Sequence, residues 1–279
     1  MLIRIVSGVI GIVAAFFIIM SGGFLFMLSA VLLAVIGWQE YVRAFKNKQM
    51  NISLWLGMIC VAVLTLSGIV TIDNKPVSFF MPVMTFIVAV FMIKMVICHK
   101  KFSPIEAYTG LTGVLYIGMG FYYIVQLRLG IADTMTAPHG LSLGCALLWI
   151  ALIGTWSSDT FAYFSGSFLG KNKLCPQISP KKTIEGFIGG VLGTIFTVTI
   201  TGWYFDFVLW PMALLGMMLA VVATLGDLVE SIFKRYTGIK DSGKIIPGHG
   251  GVLDRFDSIL FTAPFVYYFY IFCHSYFIH

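Results

Sequence analysis

Charge is what this chain has least of. Only 11% of its 279 residues are Asp, Glu, Lys or Arg, against about 25% in an ordinary soluble domain. With 59% hydrophobic residues and a mean hydropathy of +0.94, a soluble globular domain is excluded. The composition is that of a polytopic membrane protein. Paired cysteines are lacking too. Cys60, Cys98, Cys145, Cys175 and Cys273 are odd in number, scattered and never spaced CxxC. That pattern argues against a disulfide framework and a zinc site, so they are read as small apolar residues. No low-complexity segment and no repeat of fixed period is present. A pI near 9.0 does not by itself point to nucleic acid, because basic loops on one membrane face produce the same excess. The opening "MLIRIVSGVIGIVAAFFIIM" holds a single Arg and no clear small-residue cleavage site. It reads as a first span and not as a leader.

What is present is a series of apolar runs. At about 20 residues per crossing, they predict about nine helices, roughly 5–22, 24–41, 52–72, 77–97, 108–128, 141–168, 184–204, 207–233 and 255–277. The expected fold class is an all-α polytopic integral membrane protein with a polar, cytoplasm-facing cavity. Basic residues concentrate in alternate loops: Arg43, Lys46 and Lys48; Lys94, Lys100 and Lys101; Lys171, Lys173, Lys181 and Lys182; Lys234, Arg235, Lys240, Lys244 and Arg255. The positive-inside bias puts those loops, and the N-terminus with Arg4, in the cytoplasm. Lys75 and Arg128 fall outside, as does the C-terminus.

The scarce charge gathers in two places. In the last basic loop, Asp227, Glu230, Ser231 and Lys234 are spaced i, i+3, i+4 and i+7, which aligns them on one helix face. Asp254, Asp257 and Ser258 repeat the spacing where the ninth span begins. Between them lies "YTGIKDSGKIIPGHGGVL", in which Gly248, Gly250 and Gly251 permit positive φ and close backbone approach to a ligand. Carboxylates beside Ser suit a hard cation such as Mg²⁺, which keeps positions open for phosphate. Lys234, Arg235, Lys240, Lys244 and Arg255 suit phosphate oxygens. Acid and base together fit a metal-bound polyphosphate; the competing reading is a solvated loop whose charges pair with one another and with headgroups. Three roles fit His249: a phosphate contact, a proton carrier or a shaper of the turn.

The second place is "WSSDTFAYFSGSFLGKNKLCPQISPKKTIEGFIGG". Asp159 falls well inside the sixth span, where an ionisable group is costly and marks a candidate site, with Tyr163 one turn later. "GKNK" brings Lys171 and Lys173. "SPKKTIEG" is expected to open the seventh span, with Ser179 before Pro180 at the helix start and Glu185 in the early turns. Lys181 and Lys182 at a helix N-terminus oppose its dipole, a conflict that a bound anion would relieve. Ordinary loop topology with an Asp–Tyr hydrogen bond is the plainer alternative. Glu40 and Arg43 are expected to form an interfacial ion pair, and the Gly186–Gly190 pair suggests close helix packing.

These residues carry a resemblance. "SIFKRYTGIKDSGKIIPGHGGVLDRFDS" closely resembles the signature of the phosphatidate cytidylyltransferases, also called CDP-diacylglycerol synthases. The matching elements are Ser231, Lys234–Arg235, Lys240–Asp241, Pro247, His249–Gly250–Gly251, Asp254–Arg255 and Asp257. "SDTFAYFSGSFLGK" and "SPKKTIEG" resemble that family's upstream blocks. The resemblance is strong from Ser157 to Ser258; the N-terminal half matches only as generic spans. It implies an integral-membrane nucleotidyltransferase that joins CTP and phosphatidic acid, giving CDP-diacylglycerol and pyrophosphate in phospholipid biosynthesis. It implies Mg²⁺, taken here as a two-metal site, a homodimer, no nucleic-acid partner, and a bacterial-type inner membrane with the site facing the cytoplasm. Asp227 and Asp254 are implied as the metal carboxylates.

The residues expected to take part in catalysis are Asp227, Asp254, Lys234, Arg235 and Asp257. Those expected at the substrates are Asp159, Tyr163, Lys171, Ser179, Lys181, Lys182, Ser231, Lys240, His249, Gly250, Gly251 and Arg255. Residues 1–140 would then be transmembrane helices that face lipid or serve packing or dimerisation, and 141–279, with the 231–258 signature, would serve catalysis. Two other readings use the same residues. A CTP-dependent lipid-alcohol kinase of related architecture would leave phosphate, not CMP, on the lipid. An ion-coupled transporter would use Asp159 and Asp227 as intramembrane sites, but the charge clusters at one face instead of along a path.

Overall fold

The computed structural model describes residues 2–69, 71–72, 75–76, 79–131, 136–137 and 140–273, with backbone alone at 2–5, 71–72, 75–76 and 136–137. The first residues of the expected fourth span, the last of the ninth, and the side chains of Arg4 and Lys75 lie outside that description. The chain is largely helical: α1 (Leu2–Ser21), α2 (Gly23–Lys46), α3 (Leu54–Leu66), α4 (Phe80–Ile97), α5 (Pro104–Val114), α6 (Gly120–Val125), α7 (Leu143–Leu169), α8 (Ile184–Tyr204), α9 (Leu209–Thr237), α10 (Leu253–Phe256) and α11 (Ile259–Cys273). The described strands are short antiparallel pairs: β1 (Thr71–Ile72) with β2 (Lys75–Pro76), β3 (Thr136–Ala137) with β4 (Leu141–Ser142), and β5 (Lys173–Cys175) with β6 (Ser179–Thr183).

Among the described residues, seven helical stretches are long and apolar enough to cross a membrane: Gly23–Lys46, Phe80–Ile97, Pro104–Gly130, Leu143–Leu169, Ile184–Tyr204, Leu209–Thr237 and Leu253–Cys273. Two shorter apolar helices, Val6–Ser21 and Leu54–Ile69, stand where the first and third spans are expected. Local chemistry sets several starts. Ser103 and Glu106 form a capping box on α5, with Pro104 in its first turn, the position where a missing N–H costs nothing. Ser142 and Thr183 cap α7 and α8 by accepting from Cys145 N and Gly186 N.

The chain divides into two compact units, Met1–Ile131 with Lys234–Phe256, and Ala132–Phe233 with Asp257–His279. In the first, α2 is the spine. Trp38 is fully buried and its Nε1 donates to Leu54 O at 2.9 Å; Tyr41 Oη donates to Thr109 O at 3.0 Å. Each satisfies an aromatic polar tip that burial would otherwise leave unpaired. Phe121 of α6 packs against Phe256 of α10 with ring centroids 5.3 Å apart.

In the second unit, α7 and α8 lie close along their length. A Cβ at Gly186 would fall 2.8 Å from Ala162 O, and one at Gly190 would fall 3.1 Å from Ser158 O. Small residues here permit backbone approach, as the Gly186–Gly190 spacing suggests. The hydroxyls of Thr155 (α7) and Thr262 (α11), both buried, meet at 2.8 Å. Thr155 also donates to Ala151 O at 2.7 Å, so its single hydrogen is committed and Thr262 is the donor between helices.

Candidate functional site

In the first unit the polar residues converge on the loop between α9 and α10. The end of α9 is closed by Gly238 at φ 72°, with Gly238 N donating to Arg235 O and Ile239 N to Lys234 O. This 5→2 and 6→1 pair, with glycine in the left-handed region, is a Schellman stop. The loop then folds on itself: Ile246 N donates to Gly250 O and His249 N to Ile246 O, both at 3.0 Å. Gly248 and Gly250 take positive φ, 76° and 91°. Gly251 does not; a Cβ there would lie 2.3 Å from Ser242 Oγ and 2.4 Å from Glu40 Oε2.

Asp254 is the hub of this loop. Its Oδ1 accepts from Lys234 Nζ at 2.9 Å. Its Oδ2 accepts from Ser242 N and Gly251 N, each at 2.8 Å, and lies 3.0 Å from Ser242 Oγ. The pair is well shielded, with 19% of the Lys234 side chain and 6% of the Asp254 side chain exposed. Arg255 Nε donates to His249 O at 2.9 Å. His249 Nδ1 lies 3.0 Å from Ser7 Oγ, which donates to Pro247 O at 2.8 Å; α1 thus meets the turn. Arg235, Lys240, Lys244 and Arg255 are exposed.

Sequence reasoning missed Glu40. It does not pair with Arg43 at an interface. Glu40 is 1% exposed and accepts from Ser242 Oγ at 2.9 Å, Val252 N at 3.0 Å and Leu253 N at 3.0 Å, while Arg43 is exposed. A carboxylate inside an apolar helix needs several donors to offset its lost hydration; the loop supplies them and Arg43 does not. The signal was present: a lone Glu within "AVIGWQEYVRAF" is as costly as Asp159 in its own span.

The second unit holds a separate group. Lys182 Nζ lies 2.7 Å from Asp227 Oδ2, with 24% and 29% of the side chains exposed, and Ser231 Oγ donates to Asp227 Oδ1 at 3.2 Å. Glu230, on the same stretch of α9, is fully buried. Glu185 accepts from Lys171 N at 3.1 Å, Asn172 N at 3.2 Å and Asn172 Nδ2 at 2.8 Å, closing the hairpin that carries the lysines. Ser179–Thr183 is a strand and does not open the helix. Ser179 pairs with Cys175, and Thr183 with Lys173; Thr183 caps the helix four residues later than expected. The extended conformation follows from the hairpin pairing and from the β-branched cap. Lys181 and Lys182 therefore stand on a strand, not in a helical first turn.

Asp159 and Tyr163 are exposed on α7, and the Tyr163 ring meets Phe164 at 5.5 Å. The spacing of Asp254, Asp257 and Ser258 is not a continuous helical face. The helix breaks between α10 and α11, where Ser258 N donates to Asp257 Oδ1 at 2.7 Å. Gly226 allows the close approach, since a Cβ there would lie 2.9 Å from Asp257 O. Lys171 and Lys173 are exposed.

Whether the carboxylates fit a cation depends on what already occupies them. Among the described residues, no three His, Cys, Asp or Glu side chains come together as a metal cage. Mg²⁺ does not require one; it commonly binds one or two carboxylates plus substrate phosphates and retains several waters. Asp227 fits that pattern, being partly exposed and held by one ammonium and one hydroxyl. Asp254 fits through Oδ1 alone, with Lys234 displaced, because Oδ2 is filled by loop donors.

Each unit thus holds one acid–base pair: well-shielded Lys234–Asp254 beside a glycine turn in the first, and half-buried Lys182–Asp227 beside a hairpin in the second. The sequence as a whole matches the model of the Cytidylyltransferase family over residues 2–273. The chain belongs to that family. It is 36% identical to a phosphatidate cytidylyltransferase of Synechocystis over 96% of both chains. It is 35% identical to one of Staphylococcus epidermidis, over 95% of this chain and 96% of the relative. A Staphylococcus aureus relative of the same name is 34% identical over the same shares. Cytidylyl transfer demands that a polyphosphate be neutralised, which is the chemistry these cations and carboxylates suit.

Proposed function

We propose that this protein is a phosphatidate cytidylyltransferase, transferring CMP from CTP to phosphatidic acid to give CDP-diacylglycerol and pyrophosphate. One observation carries the reading: the likeness to relatives of that name runs at 34–36% identity through nearly the whole chain. A phosphate oxygen of phosphatidic acid attacks the α-phosphorus of CTP. The bond from that phosphorus to the bridging oxygen breaks, and the electron pair leaves with pyrophosphate. The nucleophile is already an anion, so no strong general base is required.

Lys182, Lys181, Lys171 and the loop cations Arg235, Lys240, Lys244 and Arg255 serve the phosphates, offsetting the charge that four anionic groups bring together. Lys234 pairs with Asp254 Oδ1 in the absence of the ion and turns to the phosphates when Mg²⁺ takes that oxygen. Asp227, and Asp254 through Oδ1, are the carboxylates for Mg²⁺. When bound, Mg²⁺ would offset the negative charge that the displacement gathers on the phosphate oxygens. Asp257, Asp159, Tyr163, Ser179, Ser231, His249, Gly250 and Gly251 complete the proposed site set. Nine spans, a cytoplasmic N-terminus and loop, a homodimer and a bacterial-type inner membrane belong to the same proposal; the alternation of basic loops supports the orientation. Purified protein in mixed micelles with CTP, Mg²⁺ and phosphatidic acid, followed by lipid mass analysis, tests it. Lipid that retains CMP is the expected product; with a lipid alcohol such as diacylglycerol supplied in place of phosphatidic acid, lipid carrying only an added phosphate would instead identify a kinase.

A further inference from the structure

We propose that Glu40 is a positioning residue for the reaction, the buried post on which the α9–α10 loop is assembled. The inference rests on reading that loop as part of the reaction site. Glu40 stands on α2, far outside the 231–258 signature. Its two oxygens nevertheless take three donors from the loop. Oε1 accepts from Val252 N, and Oε2 from Leu253 N and Ser242 Oγ. The next residue, Asp254, takes Ser242 N and Gly251 N and holds Lys234. Glu40 therefore fixes both strands of the loop, at Ser242 and at Val252–Leu253, and through them the direction of the Lys234–Asp254 pair.

The surrounding glycines fit this role. A Cβ on Gly243 would lie 2.2 Å from Glu40 Oε1, and one on Gly251 2.4 Å from Oε2. The loop can close on the carboxylate only because both positions lack a side chain. The position also demands a carboxylate in particular. An amide presents one acceptor and one donor group, so Glu40→Gln sets an NH₂ against a backbone N–H whichever way it is turned. Glu40→Asp keeps both acceptors but withdraws them by one methylene.

The test uses the full chain in detergent micelles and two readouts. The first is trypsin cleavage at Lys240 and Lys244, both exposed on the loop. Glu40→Gln should be cut there about tenfold faster than wild type, Glu40→Asp less so, and Arg43→Ala at the wild-type rate. The second is turnover. Glu40→Gln should lose roughly 10- to 100-fold in kcat, not recovered by raising CTP, with partial recovery in Glu40→Asp. Because Glu40 acts through Asp254, the further loss on adding E40Q to D254N should shrink to about threefold or less. Equal loop protection in E40Q and wild type, or a full multiplicative loss in the double variant, overturns the proposal. If E40Q does not accumulate, Gly243→Ala perturbs the same contact without changing charge and should reproduce both effects. Wild-type turnover by D254N would strike at the site reading itself, whereas an active E40Q beside an inactive D254N strikes at Glu40 alone.

Discussion

Replacing Lys182 by Met separates a structural ion pair from a phosphate-binding one, because the two roles differ in size. Lys182 and Asp227 meet at 2.7 Å with 24% and 29% of their side chains exposed. Pairs at that exposure are screened, and their net worth is roughly 0.2–1 kcal/mol. Asp227 also keeps Ser231 Oγ at 3.2 Å, so the variant does not leave its carboxylate bare. If the lysine only braces the hairpin, Lys182→Met should lower Tm by about 2–4 °C at most and turnover by no more than a few-fold. If its ammonium offsets charge on the transferring phosphates, the loss belongs to the transition state. Removing one such donor costs about 2.7–4 kcal/mol, or 10²–10³ in kcat. We expect the second result: a fall of about 100-fold or more in CTP turnover in micelles, a Tm change within those few degrees, and partial retention by Lys182→Arg. Turnover within about threefold of wild type, with the small Tm loss present, would refute the reasoning and leave Lys182 a hairpin brace.

Asp227→Asn and Asp254→Asn should each lower turnover by orders of magnitude, while Asp241→Asn, on an exposed residue, should be milder; titrating Mg²⁺ against each variant checks whether lost affinity accounts for the drop. Thr262→Val removes the interhelical donor but leaves Thr155 its bond to Ala151 O, so thermal unfolding should show a loss of about 1 kcal/mol, within the range for such bonds in membranes, with activity unchanged. For topology, a cysteine at Asp241 is the right probe, since the neighbouring Ser242 is buried in the Glu40 network. An impermeant thiol reagent applied to intact cells should fail to label it, and labelling would put the loop on the wrong side for CTP.

Much of the helical frame was legible because apolar length alone announces a membrane helix. Among the described residues, seven of the expected spans coincide with helices long and apolar enough to cross, while the first and third coincide with the shorter apolar stretches Val6–Ser21 and Leu54–Ile69. The signature loop was legible from its glycines and charges, and Gly248 and Gly250 adopt the positive φ that their spacing anticipates. Two features were hidden for identifiable reasons. Ser179–Thr183 looks like a helix start because Pro and Ser are common there, and the pairing with Lys173–Cys175 that makes it a strand is a tertiary fact. Glu40 looks like an interfacial partner for Arg43 because local spacing favours i, i+3 pairs. Its actual donors, Ser242, Val252 and Leu253, come from the far end of the chain, a distance that no local pattern can encode.

The central claim is that CMP passes from CTP to the lipid. Purified protein, phosphatidic acid in mixed micelles, Mg²⁺ and CTP labelled in the cytosine ring form the most direct assay. The account predicts label in the lipid fraction, a lipid mass equal to CDP-diacylglycerol, and one pyrophosphate released per lipid formed. Label that stays wholly in the aqueous phase while CTP is consumed would contradict it.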